Sequence, residues 1–187
     1  MIKFLFNLII LLVLIPVLVI GGIFAFLYFN YLRIQPADYS FVGERADILS
    51  IEYARFTFSD EGLTPTKVGI ITDSDAFMND FDKIDSHTGI NVNDLLDLIN
   101  GKPIDGIVIN YKNGEFEFIT PYICVNSSFN PKTVAELLNT RVHGFDATQF
   151  ANLIDNIDKY ALELPTDSFD KIEEGLDKIP EGVIPEN

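Results

Sequence analysis

The chain has 187 residues, room for one globular domain and an attached segment but not for two cores of ordinary size. Its 28 acidic residues outnumber 13 basic ones, a formal net charge of −15, which argues against a nucleic-acid partner and against direct adhesion to anionic lipid. Cys124 is the single cysteine, so no intramolecular disulfide framework exists.

The hydrophobic residues are unevenly spread. From Leu8 to Phe29, 22 residues carry no charge, and 17 of them are Leu, Ile, Val or Phe. As a helix this stretch is about 33 Å long, enough to cross a hydrocarbon core of about 30 Å. Pro16 and Gly21-Gly22 are tolerated in membrane helices. Tyr28 and Tyr31 suit an interfacial aromatic belt, and Arg33 can reach the head groups. The apolar run is too long for a signal-peptide h-region, and "FAFLYFNY" offers no small-x-small cleavage site. The expectation is an uncleaved single-pass transmembrane anchor over residues 1–33. Gly21 and Ala25 form a small-xxx-small pair through which another membrane helix, from a protein partner, could approach. The amino terminus and Lys3 on one side balance Arg33 and Arg45 on the other, so the positive-inside bias is level. A short basic start before an apolar stretch is the grammar of a signal anchor, which places the rest of the chain outside the cytoplasm.

Residues 34–46 read as a juxtamembrane connector and 47–187 as an acidic globular domain. Beyond Arg33 the chain has 11 basic and 28 acidic residues, a net charge of −17. "ILSIEYARFTF" (48–58) is β-branched and aromatic and predicts a strand closed by the turn "SDEG". "KVGIIT" (67–72) predicts a second strand. Next comes a helix with Ala76, Phe77, Phe81 and Ile84 at helical spacing and a cap-like start at Thr72 and Asp75. A further helix carries Val92, Leu95, Leu96 and Ile99 as its stripe, capped by Asn91 or Asn93 and ended by Gly101 and Pro103.

"DGIVINYKNGEFEFITPYI" predicts a β-hairpin pairing 105–111 with 115–121. Asn113-Gly114 forms its two-residue type I′ turn, with Phe116 and Phe118 inward and Glu115 and Glu117 in water. Cys124 follows in an apolar run as a small buried hydrophobe. Asn130 as cap and Pro131 at the first position open a helix with Val134, Leu137 and Leu138 inward. Asp146 and Gln149 then cap one with Phe150, Leu153, Ile154 and Ile157 inward. A last helix is expected over 167–178. The sum is an α+β fold: a small, mostly antiparallel sheet with helices packed on one face.

"VGIITDSDAF" resembles the first motif of the haloacid-dehalogenase-like phosphohydrolases, although Phe77 stands where that family has Thr or Val. The resemblance implies Asp73 as nucleophile and Asp75 as general acid/base beside Mg²⁺. Read from the residues alone, the two aspartates are a helix cap and a first-turn acid complementing the helix dipole. Asp80, Asp82 and Asp85 lack the spacing of a Ca²⁺-binding loop, and His87 and His143 lie 56 residues apart without zinc-site spacing. No metal or cofactor is expected outside the phosphohydrolase alternative.

The run from "IEYARFTF" through "IITDSDAFMNDFDKI" to "IDGIVINYKNGEFEFI" resembles uncharacterised membrane-anchored or lipoprotein domains of Gram-positive bacteria over about residues 48–120. "GIVIN" more faintly resembles the SseB N-terminal domain, with Tyr111 in place of its proline. These resemblances imply a tethered envelope domain and bring no activity or site residues. The expected function is a membrane-tethered, non-enzymatic binding or accessory domain. The alternatives are a Mg²⁺-dependent phosphohydrolase using Asp73 and Asp75, or a subunit of a larger membrane complex.

Overall fold

A computed structural model describes residues 2–160 and 162–163; the helix expected over 167–178 lies outside them. The apolar stretch forms α1, Ile2–Leu27, extended by a π-helical turn over Tyr28–Leu32. The 23 residues from Ile10 to Leu32 include an 18-residue stretch of mean hydropathy 3.0, long and apolar enough to cross a membrane. From Ile10 onward almost all of its apolar side chains are exposed, so the domain does not use that stretch of α1 as a core helix.

The acidic part of the chain is α+β. Its strands are β1 Gln35–Pro36, β2 Ile48–Ser59, β3 Gly62–Ile71, β4 Ser86–Thr88, β5 Ile104–Tyr111, β6 Phe116–Ile119, β7 Cys124–Asn126, β8 His143–Phe145 and β9 Leu162–Glu163. Its helices are α2 Ser74–Phe81, α3 Val92–Ile99, α4 Val134–Asn139 and α5 Ala147–Asp155, followed by a 3-10 turn, Ile157–Tyr160. Six strands form one antiparallel sheet in the order β7-β6-β5-β2-β3-β9, and β1-β4-β8 form a second of three. The second expected strand reaches back to Gly62, and Pro65 is tolerated because that stretch of β3 has β2 on one side only.

Both faces of the larger sheet are covered. Ile51, Ile71, Ile107 and Ile109 meet Phe77, Met78 and Phe81 of α2 and Phe150, Leu153 and Ile154 of α5 on one face. On the other, Ala54, Phe56, Leu63 and Val108 meet Leu95 and Leu98 of α3 and Leu137 of α4, with Leu32 packed against this second cluster. The larger helical layer therefore lies on the first face, and α3 and α4 on the second. A two-sided core removes the wet face that strand alternation relies on.

Several local expectations are corrected here. Asp73, not Thr72, caps α2, its Oδ1 accepting the Ala76 N–H at 3.1 Å. Asn91 caps α3, but the buried stripe is Leu95 and Leu98, with Val92, Leu96 and Ile99 exposed. Asn130 is not a cap, because its side-chain oxygen accepts the Leu63 N–H at 2.9 Å. Thr133 caps α4 instead, and Glu136 reaches back to the Lys132 N–H.

The hairpin keeps its expected register, Ile107 opposite Ile119 and Ile109 opposite Glu117. Its loop holds three residues rather than two. Gly114 donates to the Tyr111 carbonyl at 3.0 Å and takes φ +88°, a turn closed by one left-handed glycine. The facing is the reverse of the one expected. Directly opposed residues share a face, so Glu117 follows Ile109 into the core and is 0% exposed, while Phe116 and Phe118 stack half-buried on the second face.

Candidate functional site

The connector does not hang free. Gln35 and Pro36 pair with Thr88 and His87. The Ala37 N–H donates to the Ser86 carbonyl at 3.2 Å, and Ser86 Oγ donates to the Ala37 carbonyl at 2.6 Å while accepting the Tyr39 N–H at 3.1 Å. Arg141 ties the end of the apolar helix to this seam, donating to the Arg33 carbonyl at 3.0 Å and to Thr88 Oγ1 at 2.8 Å. Gly89 lies directly beneath: it takes φ +95°, and a Cβ there would run into the Arg33 carbonyl.

Along the seam opens a cleft of about 670 Å³ between residues 34–41, the end of α2, and the β4 and β8 strands. Tyr39 and Phe41, half-buried, supply aromatic walls backed by the buried Phe81 and Phe145, and Asp38, Asp82, Asp85 and Asp146 supply carboxylates, with Lys83 the cleft's single ammonium. Not all of that charge is free. Asp82 is paired with Arg45 at 2.6 Å, Asp85 accepts from Gln149 Nε2 at 2.8 Å, and Asp146 caps α5. His87 Nε2 lies 3.2 Å from the Phe145 carbonyl, which places the ring proton there and leaves Nδ1 as a buried acceptor without a partner among the described residues. His143 stands opposite Thr88, one residue pair from His87, and its pKa is held below the usual histidine value by burial and by His87. Strand pairing across 56 residues brings these histidines together, and no spacing rule detects that.

Behind the cleft lies a second polar group. Glu117 Oε1 accepts the Val42 N–H, and burial pushes its carboxyl up from the ordinary value. Tyr39 and Tyr111 are both pushed up by burial, as is Cys124, which is buried as the sequence reading expects. Among the described residues, Tyr111 Oη and Glu117 Oε2 find no hydrogen-bond partner of ordinary geometry. These groups join the connector to the hairpin from inside the core; their signal in the sequence is Tyr39, Phe41 and Val42 in an otherwise polar segment.

The phosphohydrolase candidates sit elsewhere. Asp73 is committed to capping, and Asp75 lies exposed in the first turn of α2; neither lines this cleft. Asp80 is tied to Lys83 at 2.7 Å and Lys159 at 2.9 Å, contacts that hold its carboxyl well below the usual range. Among the described residues, no three His, Cys, Asp or Glu side chains converge as metal ligands. Gly21 has open space around it, so the small-residue face of α1 is uncovered in the single chain.

Compared with protein-family models, with curated proteins and with solved structures, the chain matches none.

Proposed function

We propose that this chain is a membrane-tethered, non-enzymatic binding domain. Residues 10–32 serve as an uncleaved signal anchor, the domain faces away from the cytoplasm, and the seam cleft takes a cationic segment of an envelope or membrane protein. The observation that carries the reading is the cleft itself: four carboxylates, one of them already paired with Arg45, against one lining ammonium over an aromatic wall, at the junction of anchor and domain. Such a surface suits lysine or arginine side chains, whose stems lie along rings while their charges meet carboxylates.

Photo-crosslinking from p-benzoylphenylalanine at Lys83 tests it in intact cells, against the same probe at Thr66 on β3. A discrete adduct at 83 that is absent at 66 and lost in an Asp38→Asn/Asp85→Asn variant is the expected result. Identical adducts at both positions, or none, contradict it. Protease added to spheroplasts should digest the domain; full protection places it in the cytoplasm.

A further inference from the structure

The three exposed apolar residues of α3 call for a partner. At about 100° per residue, Val92, Leu96 and Ile99 fall within about 60° of one another, flanked by the Leu95 and Leu98 positions on one side and by Asn93 and Asp97 on the other. The apolar arc of α3 thus spans about 160°, of which the buried pair uses about 60°. Val92 and Leu96 are each 51% exposed and Ile99 37%, whereas Leu95 and Leu98 are buried. The polar arc holds the charge: Asp97 is paired with Lys102 at 2.6 Å, and Asp94 folds back on the Asn91 amide.

The position of α3 says what covers that row. Its N-terminus, Asn91 and Val92, shares a small cavity with Tyr28, Leu32, Arg33 and Ile34 at the end of the apolar helix. Leu32 packs against the same cluster as Leu95 and Leu98. Val92 therefore lies at the level of the aromatic end of that helix, where membrane meets water. The charge fits as well. In a chain of net charge −15, Arg33 and Arg141 meet at this end, and cations at the end of a membrane helix suit lipid phosphates.

We propose that Val92, Leu96 and Ile99 rest in the head-group region of the bilayer that α1 crosses, so that α3 lies along the membrane surface and fixes the tilt of the domain. The inference rests on the reading of residues 10–32 as a membrane span. Three apolar side chains bind lipid weakly by themselves; the tether supplies the effective concentration that makes the contact persist.

The chain has no tryptophan, so one introduced indole is a unique reporter. The full chain, reconstituted in zwitterionic nanodiscs, is compared as Leu96→Trp, Ile99→Trp and Asn152→Trp, the last on the exposed side of α5 across the sheet. A nitroxide at the lipid head-group end should quench positions 96 and 99 about twofold or more strongly than 152, with blue-shifted emission, as for an apolar face seated at the acyl boundary. Water-like, unquenched emission at 96 and 99 from chains retained in the discs overturns the inference and leaves the anchor standing. Blue-shifted but unquenched emission means that protein covers the row, and overturns it too. Loss of the chain from the discs under alkaline carbonate removes the anchor reading and this inference with it.

Discussion

α5 and α3 are helices of nine and eight residues, each opened by a side-chain cap, yet they spend their apolar residues differently. Every residue expected to point inward from α5, namely Phe150, Leu153, Ile154 and Ile157 just after it, is buried. In α3 only Leu95 of the expected four is buried, and Leu98 completes its contact with the sheet. The contrast shows that an apolar stripe marks what a helix can cover, not which neighbour covers it. Where sheet and stripe match in width, sequence and structure agree. Where the stripe is wider, the surplus is information about something outside the domain.

The contrast breaks most easily in the core. Phe81 touches Phe41, Phe77, Phe145 and Phe150 and is 1% exposed, so Phe81→Ala should cost about 3–5 kcal/mol by denaturant titration in detergent. Leu96→Ala, on the unused side of α3, should change stability by less than about 0.5 kcal/mol in the same assay. A cost above about 2 kcal/mol for Leu96→Ala would mean that this row is part of the core after all.

Gly89→Ala comes next. It combines a left-handed φ of +95° with a clash against the Arg33 carbonyl, and should cost about 2–4 kcal/mol while loosening the connector, read as faster proteolysis near residue 33. Gly114→Val isolates the backbone term. Nothing lies within 4 Å of a Cβ there, so only the φ of +88° is penalised, at about 1–3 kcal/mol. Equal effects at the two glycines would argue that the connector is not pressed against Gly89.

Asp73→Ala should cost about 1 kcal/mol through the lost cap, and Asp75→Asn about 0.3–1 kcal/mol through the helix dipole. A Mg²⁺-dependent phosphatase activity lost in Asp73→Asn at unchanged melting temperature would restore the phosphohydrolase alternative. The smallest effect is a slope. Glu117 holds a raised pKa in the folded state, so the folded chain binds this proton more tightly than the unfolded one. Its contribution is most favourable below the ordinary value of 4.5 and declines as pH rises through the higher folded value. Glu117→Gln keeps an oxygen for the Val42 N–H and should remove that decline, gaining stability over the native chain at neutral pH.

Local chemistry was legible where it is self-contained. The strand at 48–58, the cap of α5, Asn91 before α3, the left-handed Gly101 at its end and the hairpin register all follow from neighbouring residues. The small β1-β4-β8 sheet was not, because strands of two or three residues have no periodicity and their pairing joins segments some 50 residues apart. Polarity alone assigns Glu117 to a wet face. On a sheet covered on both sides, register decides facing, and Ile109 carries its partner inward. The cleft depends on both of these non-local features, so the sequence offered its residues without their assembly.

The most direct test of the account is the intact mass of the chain recovered from carbonate-washed membranes. The tethered reading predicts the full 21.0 kDa chain in the membrane pellet, with the apolar helix retained. A shorter species in the soluble fraction, beginning beyond residue 32, would contradict the anchor and detach both the cleft and α3 from any bilayer.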